Sequence, residues 1–294
     1  MDILEDVASF RAACEQVRRQ AGRVGFVPTM GALHAGHLAL VERAKALGTH
    51  VAVSIFVNPT QFGPSEDFTR YPRDLPADLE RCRAAGVDAV FCPEISEIYP
   101  PGERTRVHVS GLGERLCGAS RPGHFEGVAT VVTTLLAVAG PCTAVFGRKD
   151  YQQLKIIERL CRDLLLDVDV VGHPIVRDAD GLALSSRNAY LSPAERQSAC
   201  AIPQALSQVV ARYGAGERSG AALRELVTAS FERAGLRIDY VELAFPDTLE
   251  IVPLDVPLPE PQVLLAVAAF AGATRLIDNV VLGLDPPPLP VRRA

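Results

Sequence analysis

The chain has no excess of positive charge: 30 Lys and Arg stand against 35 Asp and Glu in 294 residues, a formal net charge of −5. A surface built to hold a polyanion needs a basic field, so nucleic acid is not an expected partner. Nor is there a long apolar run. None approaches the ~20 residues that a membrane span requires, so no membrane partner is expected. The seven cysteines, at 14, 82, 92, 117, 142, 161 and 200, are odd in number, widely spaced and without a C-x-x-C pair. That argues against a disulfide framework and a cysteine-ligated zinc, and predicts buried, reduced thiols. The first twenty residues lack the apolar core of a signal peptide and carry the acids a transit peptide avoids, so a cytoplasmic protein is expected. No internal repeat occurs. What is present is ordinary for a globular protein, 48% hydrophobic and 22% charged, with length enough for one large or two modest cores.

Periodicity predicts a helix over 2–20, a strand at 23–27 and a helix at 37–47 that Gly48 ends. The unbroken apolar run at 51–57 suits a strand covered on both faces. A helix at 76–85 and a strand at 88–92 follow, then a strand at 105–109, a helix at 127–138, a strand at 143–146, a helix at 151–161 and a strand at 167–171. Strands alternating with helices imply βαβ units, hence an α/β fold with a Rossmann-like parallel sheet. The texture changes near Pro174. Helices at 194–212 and 218–234 and strands at 237–243, 262–270 and 274–278 predict a smaller α+β domain. The expected boundaries are therefore 1–175 and 176–294, with a frayed tail from about 285.

The most informative stretch is 25–37, GFVPTMGALHAGH. A strand stops at Pro28, Thr29, Met30 and a Gly-punctuated turn follow, and His34 and His37 flank Gly36 where the next helix begins. A helix start offers unpaired N–H groups and the positive end of a dipole, a natural anion site to which two imidazoles are added. Histidines three apart also suit zinc, but no third ligand stands at fixed spacing, so they read better as phosphate donors.

PTMGALHAGH resembles the H-x-G-H signature of the nucleotidyltransferase superfamily, which includes class I aminoacyl-tRNA synthetases. The segments SIFVNPTQF at 54–62, RPGHFEGVATVV at 121–132, FGRKDYQQL at 146–154 and VRDADGLALSSRN at 176–188 then resemble, in order, the motifs of the pantothenate synthetase family. That resemblance implies ATP-dependent joining of (R)-pantoate to β-alanine through a pantoyl adenylate, with ATP as co-substrate and Mg2+ held mainly by its phosphates rather than by the protein. It also implies a homodimer. Pantoate falls to Gln61 and Gln153, with Asn58 and Met30 beside them. ATP falls to 28–30, His34, Gly36, His37, Gly147, Lys149, Asp150, Val176, Leu184, Ser185, Ser186 and Arg187. Where the family usually has Met, this chain has Leu184, a volume-conserving change.

The residue types suit these tasks. Gln61 offers hydrogen bonds without charge at the carboxyl end of a strand, where open α/β sheets bind ligands. Gly147 admits close backbone approach and Lys149 supplies a point charge for phosphate, while Asp150 serves a ribose or merely caps a helix. Two hydroxyls and the planar fork of Arg187 suit a triphosphate, although SSRN alone is simply a turn. His34, His37, Lys149, Ser185, Ser186 and Arg187 are therefore the expected catalytic group, acting by position and charge rather than as nucleophiles. Arg121 and His124 precede a helix whose Val128, Val131 and Val132 are either a pocket wall or ordinary core. The polar segment 63–72 is a candidate cover. The rival readings are a nucleotidyltransferase acting on another acid or nucleotide, and a nucleotide-binding protein without catalysis.

Overall fold

Buried strands and the helices between them build a six-stranded parallel sheet in the order β1-β4-β3-β2-β5-β6. The elements, in a computed structural model that describes residues 1–64 and 66–290, are β1 (Asp2–Leu4), α1 (Val7–Arg19), β2 (Val24–Thr29), α2 (Ala35–Leu47), β3 (His50–Ile55), α3 (Leu75–Ala84), β4 (Ala89–Phe91) and α4 (Ile95–Ile98). There follow α5 (Cys117–Ser120), α6 (His124–Ala139), β5 (Cys142–Gly147), α7 (Tyr151–Asp163) and β6 (Val168–His173). Strand order reverses between β2 and β5, and the crevice beyond the carboxyl ends of such a pair is where open α/β sheets take their ligands. The core is dense with side chains almost wholly removed from water: Phe10 stacks on Phe91 with ring centroids 4.5 Å apart and tilts against Phe26 at 5.7 Å. Each such ring contributes about 1.5–3 kcal/mol by burial.

The chain divides into two compact units. The first comprises Met1–Gly113, Arg121–Arg148 and Gln153–Pro174; the second takes Glu114–Ser120, Lys149–Gln152 and everything from Ile175 onward. In the second unit α8 (Pro193–Ala199), α9 (Ala201–Gly214) and α10 (Gly220–Arg233) accompany an antiparallel sheet, β7 (Arg237–Ala244), β8 (Val263–Ala271) and β9 (Thr274–Leu282). Leu206, Val209, Leu223, Val227 and Phe231 of the helices share one buried cluster with Leu243, Val263, Leu265 and Val267 of the sheet.

Three sequence expectations need correction. The first helix starts only at Val7, because the Asp6 carboxylate accepts from the Ser9 N–H at 2.8 Å and caps it, which leaves 2–4 to pair with β4 as an edge strand. No strand forms at 105–109: the segment is largely exposed and irregular, and the Val107 N–H donates to the Thr130 hydroxyl at 3.0 Å. The helix expected over 194–212 is two helices that meet at Cys200. Pro203 has no N–H to give the Ala199 carbonyl, so the ladder breaks there. Past β9, within the second unit, the Leu289 N–H donates to Ser207 Oγ at 2.8 Å. The rest of the expected tail, 291–294, lies outside the described residues.

Candidate active site

The first unit places the H-x-G-H-like loop at the carboxyl end of β2. Thr29 Oγ1 donates to the Ser54 carbonyl of β3 at 2.7 Å and accepts from the Gly31 N–H at 3.2 Å. The chain then turns through two left-handed residues, Gly31 at φ +80° and Ala32 at φ +50°. A φ near +50° is unfavourable for alanine, so something must hold it there. The holder is Asp78 of α3, 1% exposed, whose two carboxylate oxygens accept from the Ala32 and Leu33 N–H groups at 2.8 Å each. Arg81 Nη1 approaches the same carboxylate at 3.4 Å. No sequence motif marks Asp78. Its one signal is an acid four residues before buried Cys82, on the apolar face of its helix.

Held in this way, the loop delivers His34 as the cap of α2. His34 Nδ1 accepts from the Gly36 N–H at 3.1 Å, and His37 Nδ1 accepts from the His34 N–H at 3.3 Å. The two imidazoles take the places of the serine and glutamate of a capping box. Because both Nδ1 atoms accept, the proton of each neutral ring sits on Nε2, the form that donates to a phosphate oxygen. The rings lie 4.1 Å apart.

Beside β3, the expected pantoate residues gather in part. Gln61 Nε2 donates to Met30 Sδ at 3.2 Å and Gln61 Oε1 accepts from Asn58 Nδ2 at 3.0 Å. Asn58 is 1% exposed and engaged throughout by protein. Its Nδ2 also donates to the Gly127 carbonyl at 3.1 Å, and its Oδ1 accepts from the Thr60 N–H, Thr60 Oγ1 and the Tyr99 hydroxyl. Burial pushes the Tyr99 phenol up, which keeps it a donor. Through that bond to Oε1, Asn58 fixes the Gln61 amide, its neighbour in the expected pantoate set. A Cβ on Gly127 would stand 2.4 Å from the Thr60 carbonyl oxygen, so glycine is what lets α6 lie against this segment. Val128, Val131 and Val132 are buried within α6. Gly147 ends β5 with open space before its Cα, and Gln153 lies in the first turn of α7.

The second unit holds the remaining candidates. Lys149 and Asp150 form a short turn with Nζ 3.9 Å from Oδ2, and the Lys149 carbonyl accepts from buried Asn279 at 2.9 Å. The segment 176–184 folds back on itself: the Leu184 N–H donates to the Val176 carbonyl at 2.9 Å, which brings two expected ATP residues together. Arg177 braces the fold-back, donating to the Gly181 carbonyl at 3.0 Å and to both oxygens of buried Asp278 at 2.7 and 3.0 Å. Ser185 then caps a 3-10 turn over Ser186–Tyr190, its Oγ accepting from the Arg187 N–H at 3.3 Å. Sequence reasoning missed Arg177, Asp278 and Asn279, since their partners are remote in the chain.

Among the described residues no group of three or more His, Cys, Asp and Glu side chains is placed to hold a metal ion. No helix among them is long and apolar enough to cross a membrane.

The chain is similar to known proteins over nearly its whole length. A family model described as pantoate-beta-alanine ligase matches residues 2–281. A pantothenate synthetase of Pseudomonas paraeruginosa is 51% identical over 288 residues, covering 97% of this chain and all of that protein. A crystal structure of a Thermus thermophilus enzyme of the same name superposes with a TM-score of 0.89 at 47% identity, covering 95% of this chain and 99% of that one. A pantoate-beta-alanine ligase of Francisella tularensis, solved as a complex with beta-gamma ATP and beta-alanine, gives a TM-score of 0.77 at 31% identity, covering 97% and 99%.

Proposed function

The chain belongs to the pantoate-beta-alanine ligase family, and from that premise we infer that it condenses pantoate with β-alanine at the expense of ATP to give pantothenate. A carboxylate is a poor acylating agent and must first be activated. One carboxylate oxygen of pantoate attacks the α-phosphorus of ATP, the bond from that phosphorus to the bridging oxygen breaks, and pyrophosphate leaves. The amine of β-alanine then attacks the acyl carbon, AMP departs with the oxygen that pantoate supplied, and the nitrogen gives up a proton as the amide forms.

Chemistry of this kind needs positioned donors where charge builds on the phosphoryl oxygens. The observation that carries the assignment is the doubled histidine cap, whose Nδ1 atoms are occupied by backbone N–H groups so that Nε2–H donates. His34 and His37 serve the α-phosphate, and Lys149, Ser185, Ser186 and Arg187 the rest of the triphosphate. The backbone of 28–30, Gly36 and Gly147, with Asp150, Val176 and Leu184, holds the nucleoside end. Gln61, Met30 and Gln153 hold pantoate, with Asn58 fixing Gln61. Mg2+ would be held mainly through the phosphate oxygens of ATP and would supply charge neutralisation there. The protein works in the cytoplasm as a homodimer.

ATP–pyrophosphate exchange without β-alanine tests the reading. Exchange must appear when (R)-pantoate is added and not before. Folded protein that shows none, or that exchanges equally with an unrelated acid, contradicts it.

A further inference from the structure

A bidentate ion pair beside Gln61 has no part in the chemistry above. Arg121 Nε and Nη2 each stand 2.6 Å from one oxygen of the Glu66 carboxylate, the planar fork meeting a planar acid. His124 Nδ1 donates to the Gln61 carbonyl at 2.8 Å, which leaves Nε2 to accept from Arg121 Nη1 at 3.0 Å. The guanidinium is therefore oriented from its far edge by groups that do not depend on Glu66. Its Nη2 also lies 3.5 Å from the Gln61 carbonyl, against the segment that carries the proposed pantoate amide. The Gly63 N–H donates to the Glu66 carboxylate at 3.2 Å. The Arg121 side chain is 15% exposed and that of Glu66 23%, so the pair is shielded yet reachable.

We propose that Arg121, set by His124, is the receptor for the carboxylate of the incoming amino acid β-alanine, and that Glu66 occupies this receptor when the substrate is absent. The inference rests on the ligase reading given above. β-Alanine must present a neutral amine to the acyl carbon while its other end stays charged. An unpaired carboxylate in a site that excludes water is costly, so that end requires a cation. Lys149 and Arg187 are assigned to phosphates, and Arg121 is the guanidinium fixed beside Gln61. Exchanging one carboxylate for another on the same fork removes no further charge from water.

The experiment compares β-alanine with 3-aminopropanamide, its uncharged analogue, in wild type, Arg121→Ala and Glu66→Gln. Pantoate-dependent exchange without either amine is the measure of folded, competent enzyme. Wild type is expected to prefer β-alanine. Arg121→Ala should lower kcat/KM for β-alanine by roughly 10–100-fold, the loss of a charge-assisted pair, and leave the amide analogue within about threefold on the same grounds. Glu66→Gln should lower the KM for β-alanine, since a competitor is gone. A preference that survives in Arg121→Ala, or exchange that falls as far as β-alanine use, overturns the proposal and makes the pair a structural brace. If Arg121→Ala does not fold, Glu66→Gln decides alone: a KM for β-alanine that is unchanged or raised refutes the receptor. Absent exchange in wild type would instead refute the ligase reading itself.

Discussion

Asp78→Asn is the most discriminating change in the loop that carries the histidines. The carboxylate accepts two backbone N–H groups at 2.8 Å, from Ala32 and Leu33, and is almost wholly buried. Asparagine keeps its shape but offers one acceptor, so its amide NH2 faces the second N–H donor to donor. The loss is one hydrogen bond to a charged group, about 1.5–3 kcal/mol. Meanwhile Ala32 still has to be held at φ +50°, at a cost of about 1–2 kcal/mol. If the deficit falls on the loop, its productive geometry loses about 10–100-fold in population, at roughly 1.36 kcal/mol per tenfold. Exchange kcat should fall by that factor. Because the opening is local, Tm should fall by no more than about 2–4 °C per kcal/mol. Adding Ala32→Gly removes the left-handed strain and should restore several-fold of the lost rate. Steady-state exchange kinetics and thermal melts on the single and double variants supply the readings. A kcat unchanged in Asp78→Asn, or no rescue by Ala32→Gly, would refute the idea that Asp78 holds this turn for catalysis.

Other outcomes follow from the same geometry. His37→Ala should cut exchange roughly 10²–10³-fold as a phosphate donor is lost, with about 1 kcal/mol of stability lost from the cap; an unchanged rate removes it from the catalytic group. Gln61→Ala should weaken pantoate saturation and spare that of ATP, and the reverse pattern would reassign the pocket. Burial by itself raises the Glu66 carboxyl, but the hydrogen bonds and charge of Arg121 outweigh it and hold the folded value below the ordinary one. The pair therefore stabilises the fold above the unfolded value of about 4.3, and that stability is lost as pH falls through the folded value. Denaturant titrations of wild type and Glu66→Gln should converge in acid, and a constant gap down to about pH 3 would contradict the assignment.

Much of the first unit is legible in the sequence because its signals are local. Apolar runs mark the buried strands, and a glycine-punctuated turn before a helix marks the proposed anion site. The strand expected at 105–109 fails because a local apolar pattern does not by itself supply a neighbouring strand to pair with. The site's supports are harder to see. Asp78 is 45 residues from Leu33 and Asp278 is 101 from Arg177, so the contacts exist only once the chain has folded. Asn58 shows the converse limit: its place in a motif puts it beside Gln61 in sequence, but its burial and its bonds to Gln61 and the Gly127 carbonyl appear only in the folded chain.

The central claim, activation of pantoate through its own oxygen on the α-phosphorus, is tested most directly with carboxylate-labelled 18O-pantoate. After complete turnover with ATP and β-alanine, mass spectrometry should find one 18O in AMP and none in pyrophosphate. AMP without label, or label in released phosphate, would contradict the adenylate route.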